Sequence, residues 1–490
     1  MGRADSRRWR PMSISVELAK RIAALHYEDL PEAAVDSAKM AILDTVGVTL
    51  AGTREQAPRI AERVLGEGAR RGSSLVFGGD RRTTCLDAAL INGTAAHALD
   101  FDDCSNTMGG HPSAPIVPGL LALAEEVDAG GRELLLAYIA GFETETRIAR
   151  GVNFHHYEKG WHPTSTLGTF GAAAACARLL GLPEEQIATA LSLSVSLAAG
   201  VKANFGTMTK PLHVGECSRN GLWAALLARE GFTANRAAFE HNQGFLNVFN
   251  GPGNFDAGRI LDHWADPLDI VTPGVAFKQY PCCGSTHSAI DAMIEIVRAH
   301  AIEPEQVRQV DCWIHARRLK HTNRPDPQSA LEAKFSVQYC VARALMHGKV
   351  VLEHFEGAAY RDPEARRITG RVHAAPCTEA QFNSGNHFGA EVAVKLDGGQ
   401  TYSTKVEIAL GRISAHPIPP ELLKAKFKNC AGEVLPAAQV AQLQASIEEL
   451  EHIRSLRQLT ALIATATTTR TLSCESVGEP MPEDAGTAVE

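Results

Sequence analysis

The chain has 490 residues, more than one hydrophobic core usually serves, so two domains are expected. With 45% hydrophobic and 21% charged residues it has an ordinary globular composition; no apolar run is long enough to cross a membrane, and a formal charge of −8 without a long basic stretch argues against a nucleic-acid partner. Its 11 cysteines are scattered without a C-x-x-C, which suits neither a disulfide framework nor a zinc site and fits a reducing, cytoplasmic setting.

Residues 1–14 read as a disordered tail, whose opening Met1-Gly2-Arg3-Ala4-Asp5-Ser6 loosely matches a myristoylation pattern but lacks the apolar run of an export signal. From about Pro31 to about Glu240 the signals are helical. Leu30-Pro31-Glu32-Ala33 and Leu182-Pro183-Glu184-Glu185 each place proline at a helix start with acids in the first turn. In the first of these helices Val35, Ala38, Ile42, Val46 and Leu50 recur at helical spacing. Residues 172–182 and 191–199 are apolar nearly all round, as helices buried inside an α-helical domain would be.

The texture changes near Pro273. After a helix over 288–300, residues 307–314 read as a strand. Glu391 to Leu396, a turn at Asp397-Gly398-Gly399, and Gln400 to Leu410 read as a hairpin. The expected organisation is therefore mainly α: an all-helical domain over 15–272, a smaller α+β lid over 273–410, a C-terminal segment over 411–460 with helical periodicity from Ala438 to Ile453, and a disordered tail over 465–490 rich in Thr, Ser, Pro and Glu.

The chemistry concentrates between Asn92 and Pro115, where His97, Asp100, Asp102, Asp103 and His111 share one otherwise uncharged stretch. Aspartates compete with helix hydrogen bonds and resist burial, so such a cluster costs stability unless it serves a site. Five further segments hold polar groups that packing does not explain. They are Trp161-His162-Pro163, Lys210 and His213 three apart in a loop, Lys278 through Cys282, Cys283 and His287, Tyr339 on an amphipathic helix, and Ala390-Glu391 at the start of the hairpin. Each has an ordinary packing explanation alone. Together they form a cationic set.

The ordered motifs AILDTVGVTLAG, HALDFDD, HPSAP, GWHPTST, KPLHVGECSRNG, KQYPCCGSTH, EAKFSVQY and PIPPELLKAKF resemble the MmgE/PrpD superfamily from about residue 15 to 455. The resemblance implies a large helical domain with a smaller α+β lid, a homodimer, and action on small polycarboxylates without metal or organic cofactor. The activities it implies are 2-methylcitrate dehydration, cis-aconitate decarboxylation or iminodisuccinate epimerisation. It implies that Asp100, His111, His162, Lys210, Lys278 and Tyr339 line the active site, with His97, Asp103, Cys104, His213, Cys283 and His287 around the substrate. Two positions depart: Cys104 stands where threonine is frequent in the superfamily, and Cys283 where animal cis-aconitate decarboxylases have histidine.

Removing a proton beside a carboxylate builds charge on a group that is already anionic, so the site needs cations aimed at that charge and a proton shuttle near neutrality. Lys210, Lys278 and His111 are of the first kind, and His162 and His111 are candidates for the second. The motifs do not separate the three reactions; the leading expectation is a lyase dehydrating a 2-methylcitrate-like hydroxy acid, with decarboxylation or epimerisation as alternatives. Two distant readings are an isoprenoid synthase using Asp100, Asp102 and Asp103 to bind Mg²⁺, and a non-catalytic helical scaffold. The first lacks a second metal motif. The second does not explain why every cationic position is present.

Overall fold

The structure is a computed structural model that describes residues 13–66, 72–383, 386–413 and 415–465. The greater part of both expected tails, and with it the myristoylation-like opening, lies outside the described residues. The first described helix, α1 (Ile14–Ala23), starts within the span read as tail, and Ile14, Leu18 and Ile22 are buried on its inner face.

The helical body is built from α2 (Glu32–Gly52), α3 (Cys85–Ala98), α4 (Ser113–Val127), α5 (Gly131–Val152), α6 (Gly168–Leu179), α7 (Glu184–Leu197) and α8 (Thr209–Arg229). Pro31 and Pro183 sit at the N-caps of α2 and α7, one residue before the expected position. Every residue of α6 from Gly168 to Ala177 is buried, as its apolar circumference requires. Lys210 and His213 are not in a loop: α8 begins at Thr209, so Lys210 lies on its first turn, where Pro211 costs no intrahelical hydrogen bond, and His213 at the start of its second.

One close approach fixes the geometry of the site. A Cβ on Gly93 of α3 would lie 2.9 Å from the Cα of Gly215 in α8, and one on Gly215 would lie 2.3 Å from the Leu90 carbonyl oxygen. Two glycines at one crossing let the backbones touch. The end of α3, carrying His97, is thereby set beside the start of α8, carrying Lys210.

The smaller layer is a four-stranded sheet of β1 (Val307–Ile314), β2 (Val372–Pro376), β3 (Ala390–Leu396) and β4 (Thr401–Val406), in the order β2-β1-β3-β4. β1 pairs with β2 in parallel and with β3 antiparallel, Val310 facing Val372 and Val394; β3 and β4 form the hairpin. β4 stops at Val406, short of the expected Leu410, because the chain turns back: the Leu410 amide donates to Asp291 and Gly411 accepts from the Phe277 amide. Two helices, α9 (His287–His300) and α10 (Val337–His347), pack on the sheet, and Ile290, Met293, Val310, Val341, Val392 and Val394 share one core.

The C-terminal helices α11 (Pro420–Gly432) and α12 (Ala437–Glu448) pack on the helical body. Phe427, Leu443, Leu459 and Ile463 join Ile42, Leu50, Leu121 and Phe142 in one cluster. Gly47 of α2 makes room for Phe427, whose ring carbon would lie 2.9 Å from a Cβ there. None of the described helices is long and apolar enough to cross a membrane.

Candidate active site

The site forms where five segments meet: the end of α3, the loop from Leu99 to Pro112, the turn carrying His162, the start of α8, and the extended segment entering the lid. Cys104 and Ala276 exchange backbone hydrogen bonds of 2.6 and 2.8 Å, which stitches the lid entry to the loop. Lys278, two residues further on, is thereby delivered to Asp100.

Asp100 lies at the centre with φ +53°, a left-handed conformation costing an L-residue roughly 1–2 kcal/mol, although aspartate tolerates it better than most. Three buried lysines hold this turn. Lys334 donates to the carbonyl of Leu99 at 3.1 Å, Lys278 to that of Asp100 at 2.6 Å, and Lys426 to that of Phe101 at 2.7 Å. Lys426 also meets Asp44 at 2.6 Å and lies 4.0 Å from the Phe101 ring centroid. Three successive carbonyls thus find charged donors from the lid and the C-terminal helix; each would cost about 1–3 kcal/mol if buried unpaired.

Lys210 Nζ lies 2.7 Å from one carboxylate oxygen of Asp100, and Lys278 Nζ lies 3.1 Å from the other. Burial alone would raise this carboxyl's pKa, but Lys210, Lys278 and then His111 outweigh it and hold it ionised far below the usual range. Asp102 is shared by two imidazoles, at 2.8 Å from His97 Nδ1 and 3.0 Å from His111 Nδ1. These two rings and the His111 proton hold Asp102 well below the ordinary value despite its burial.

The histidines divide into two protonation classes. Burial works against charge on His111, yet Asp102 and then Cys104 raise it to about 10. His97 is lowered to about 4, chiefly by burial, with Lys210 and His111 adding to the effect. His162 is driven well below its usual value by burial and the nearby cations. Its Nδ1 lies 3.2 Å from His213 Nδ1, and its Nε2 is buried without a partner, as is His97 Nε2. At neutral pH the site therefore holds one imidazolium beside neutral imidazoles, with an unpartnered buried Nε2 on both His162 and His97.

Cys104 Sγ lies 3.9 Å from His111 Nδ1, and although burial opposes ionisation, His111 and Lys278 pull the thiol down to about 6. Cys283 lies near Lys278 and Asp100; burial, then the Asp100 charge, push its thiol up.

Three expected site residues lie elsewhere. Asp103 points under the site, accepting from the amide and hydroxyl of Ser113 at the start of α4; burial, with Asp44 and Asp102 nearby, raises its carboxyl well above the usual range. Tyr339 faces the lid core, its hydroxyl donating to the His354 carbonyl at 2.5 Å and accepting from Arg343 at 2.9 Å. His287 lies against Tyr280, with Nε2 3.3 Å from the Cys282 carbonyl. Glu391, at the hairpin start, accepts from Gln381. The spacing of Tyr339 on its helix could not reveal which side of the lid its hydroxyl meets.

Sequence reasoning missed Lys334 and Lys426 as supports of the turn. A signal existed for Lys426. With Leu423, Phe427 and Cys430 it lies on the buried stripe of α11, and a lysine on such a stripe needs an acceptor inside.

His97, Asp100, Asp102 and His111 bring donor atoms within 4.8 Å of one another. A dication there would compete with ammonium groups on both Asp100 oxygens and with His111 on Asp102, so the charges favour an ion-pair network. The same partition removes the Mg²⁺-motif reading: Asp100 faces lysines, Asp102 histidines and Asp103 a serine.

The sequence model of the MmgE/PrpD N-terminal domain matches residues 16–257, and that of the C-terminal domain matches residues 280–452. The chain is 30% identical to cis-aconitate decarboxylase of Homo sapiens over 92% of its length and 94% of that protein's. It is 24% identical to cis-aconitate decarboxylase of Aspergillus terreus, covering 92% of this chain and 96% of that one. It is 25% identical to 2-methylcitrate dehydratase of Cupriavidus necator, covering 86% of this chain and 91% of that one. Two matching domains in order, over a helical body and an α+β lid that meet at this cluster, show that the chain belongs to the MmgE/PrpD family.

Proposed function

We propose that the protein is a lyase acting on a small polycarboxylate, using proton transfer next to a carboxylate and no dedicated metal or organic cofactor. The observation that carries this reading is the pairing of protonation states within one cluster: His111 held as an acid, His162 held as a base with a bare Nε2, and Lys210 and Lys278 beside them.

The cations Lys210, Lys278 and His111 stand against the anions Asp100, Asp102 and the Cys104 thiolate, so an incoming carboxylate meets oriented ammonium and imidazolium donors. Negative charge building on the carbon beside that carboxylate is stabilised by the same ammonium groups, already oriented and shielded from water. His162 accepts a proton from substrate, or His111 delivers one to carbon. Asp102 keeps His111 charged and fixes its ring, while Asp100 keeps both lysines in place.

Of the two lyase reactions, relatives named cis-aconitate decarboxylase shift the weight from dehydration to decarboxylation. In that reaction the bond to one carboxyl group breaks, CO₂ leaves, and the electron pair left on the carbon framework takes a proton from His111. Dehydration of 2-methylcitrate is the second reading, favoured by Cys283 in place of the animal enzymes' histidine and by the Cupriavidus necator relative.

Incubating the protein in D₂O with cis-aconitate, 2-methylcitrate or iminodisuccinate, followed by proton NMR, tests the proposal. Expected is loss of cis-aconitate, with CO₂ release and one deuterium on the product. Turnover of 2-methylcitrate alone selects the second reading, and turnover of none of the three overturns the proposal.

A further inference from the structure

Beside the Asp100 cluster lie two guanidinium groups that have no counter-ion among the described residues. Arg318 and Arg412 both stand 4.6 Å from the ring centroid of Phe388. Arg318 donates through Nε to the His387 carbonyl, and Arg412 Nε is buried without a partner. Among the described residues neither forms a salt bridge. Other arginines contrast with them: Arg147 is paired with Glu143 and Asp269, Arg343 with Asp362, and Arg317 with Glu158. Holding two like charges against one ring without a counter-ion is unfavourable, and the cation–π contact, about 0.5–1 kcal/mol at exposed sites, compensates only in part.

Their position ties them to the site. A Cβ built on Gly284 would lie 3.1 Å from Arg412 Nη1 and 3.9 Å from Lys278 Cε, so only this glycine's missing side chain separates the Arg412 guanidinium from the lysine on Asp100. The Arg412 carbonyl accepts from Asn106 of the site loop at 3.0 Å. Both side chains are only partly buried.

We infer that Arg318 and Arg412 form a second carboxylate subsite, which grips a terminal carboxylate of the substrate while Lys210 and Lys278 hold the one next to the reacting carbon. Guanidinium suits the task because its planar fork matches a carboxylate with paired hydrogen bonds, which an ammonium cannot do. The subsite explains why a terminal carboxylate, beyond the one next to the reacting carbon, would be recognised rather than merely tolerated. It rests on the polycarboxylate reading.

The test uses the full chain and two unreactive probes: tricarballylate, with three carboxylates, and isobutyrate, the same skeleton lacking both terminal carboxylates. Calorimetry on the unaltered protein should show tricarballylate binding at least tenfold tighter. Arg318→Gln and Arg412→Gln should each weaken tricarballylate at least tenfold and leave isobutyrate within about twofold. Arg318→Lys and Arg412→Lys, which keep the charge but lose the fork, should fall between, and they carry the test should a glutamine variant fail to unfold cooperatively. A full preference for tricarballylate in the variants overturns the subsite while leaving the lyase reading intact. Failure of the unaltered protein to bind either probe overturns the polycarboxylate reading and the subsite with it.

Discussion

Lys210 and Asp100 form a buried ion pair of 2.7 Å between the first turn of a helix and a left-handed turn far from it in sequence. Lys278 covers the other carboxylate oxygen, so Asp100 stays neutralised when Lys210 is removed. Lys210→Ala should therefore leave the thermal midpoint little changed. Substrate binding should suffer more: losing a partner for a desolvated carboxylate costs on the order of 2–5 kcal/mol, so kcat/KM should fall at least about 30-fold. Steady-state kinetics and a melt on the same preparation check both. Near-full kcat/KM would remove Lys210 from the site.

His162→Ala separates proton transfer from binding. A buried neutral imidazole with a free Nε2 is placed to accept a proton, and general acid–base catalysis contributes roughly 10²–10⁴-fold. kcat should drop by about that much while KM changes severalfold at most. A change confined to KM would make His162 a binding group.

His111 should leave a mark on pH dependence. Its pKa is raised from the ordinary 6.5 to about 10 in the folded protein. Such a group contributes stability that is fully present below its unfolded value and is lost as pH rises through the folded one. Denaturant midpoints of the unaltered protein and His111→Gln should therefore converge between about pH 7 and pH 10. The alkaline limb of kcat, set by the same proton, should lie above pH 8 and vanish in the variant. An alkaline limb near 6.5 would show that Asp102 does not hold His111 charged.

Tyr339→Phe tests a residue that the family resemblance placed in the site and the fold places in the lid core. Its hydroxyl bridges Arg343 and the His354 carbonyl, so the substitution should cost about 1–3 kcal/mol of stability. kcat should change less than about threefold, by less than about 0.7 kcal/mol of barrier. A loss of kcat at unchanged stability would reverse this assignment.

Exhaustive chelation should leave activity unchanged. The four groups that could gather around a metal already neutralise one another with lysines and histidines, so a bound dication would have to break at least two ion pairs. Activity lost to a chelator and restored by a divalent ion would contradict this.

Periodicity alone was enough for the elements whose burial is set locally. The alternation of Glu391 to Leu396 and the Asp397-Gly398-Gly399 turn specify the hairpin, and the apolar circumference around Ala172 to Cys176 specifies a buried helix. The strand Val372–Pro376 escaped because it pairs only along one edge, in parallel, and its His-Ala-Ala-Pro stretch carries no alternation.

The crowding of Asp100, Asp102, Asp103, His97 and His111 in one stretch also announced a site, because buried acids need partners and local sequence counts them. Which partner each acid takes was a tertiary decision. It depends on the glycine crossing that sets Lys210 beside His97, on the backbone bridge from Cys104 to Ala276 that delivers Lys278, and on the return of the C-terminal helix with Lys426. The same contacts sent Asp103 under the site and Tyr339 into the lid. A side chain's charge is written in the sequence, but its pKa and its reach depend on what folds against it, and for this cluster that came from segments hundreds of positions apart.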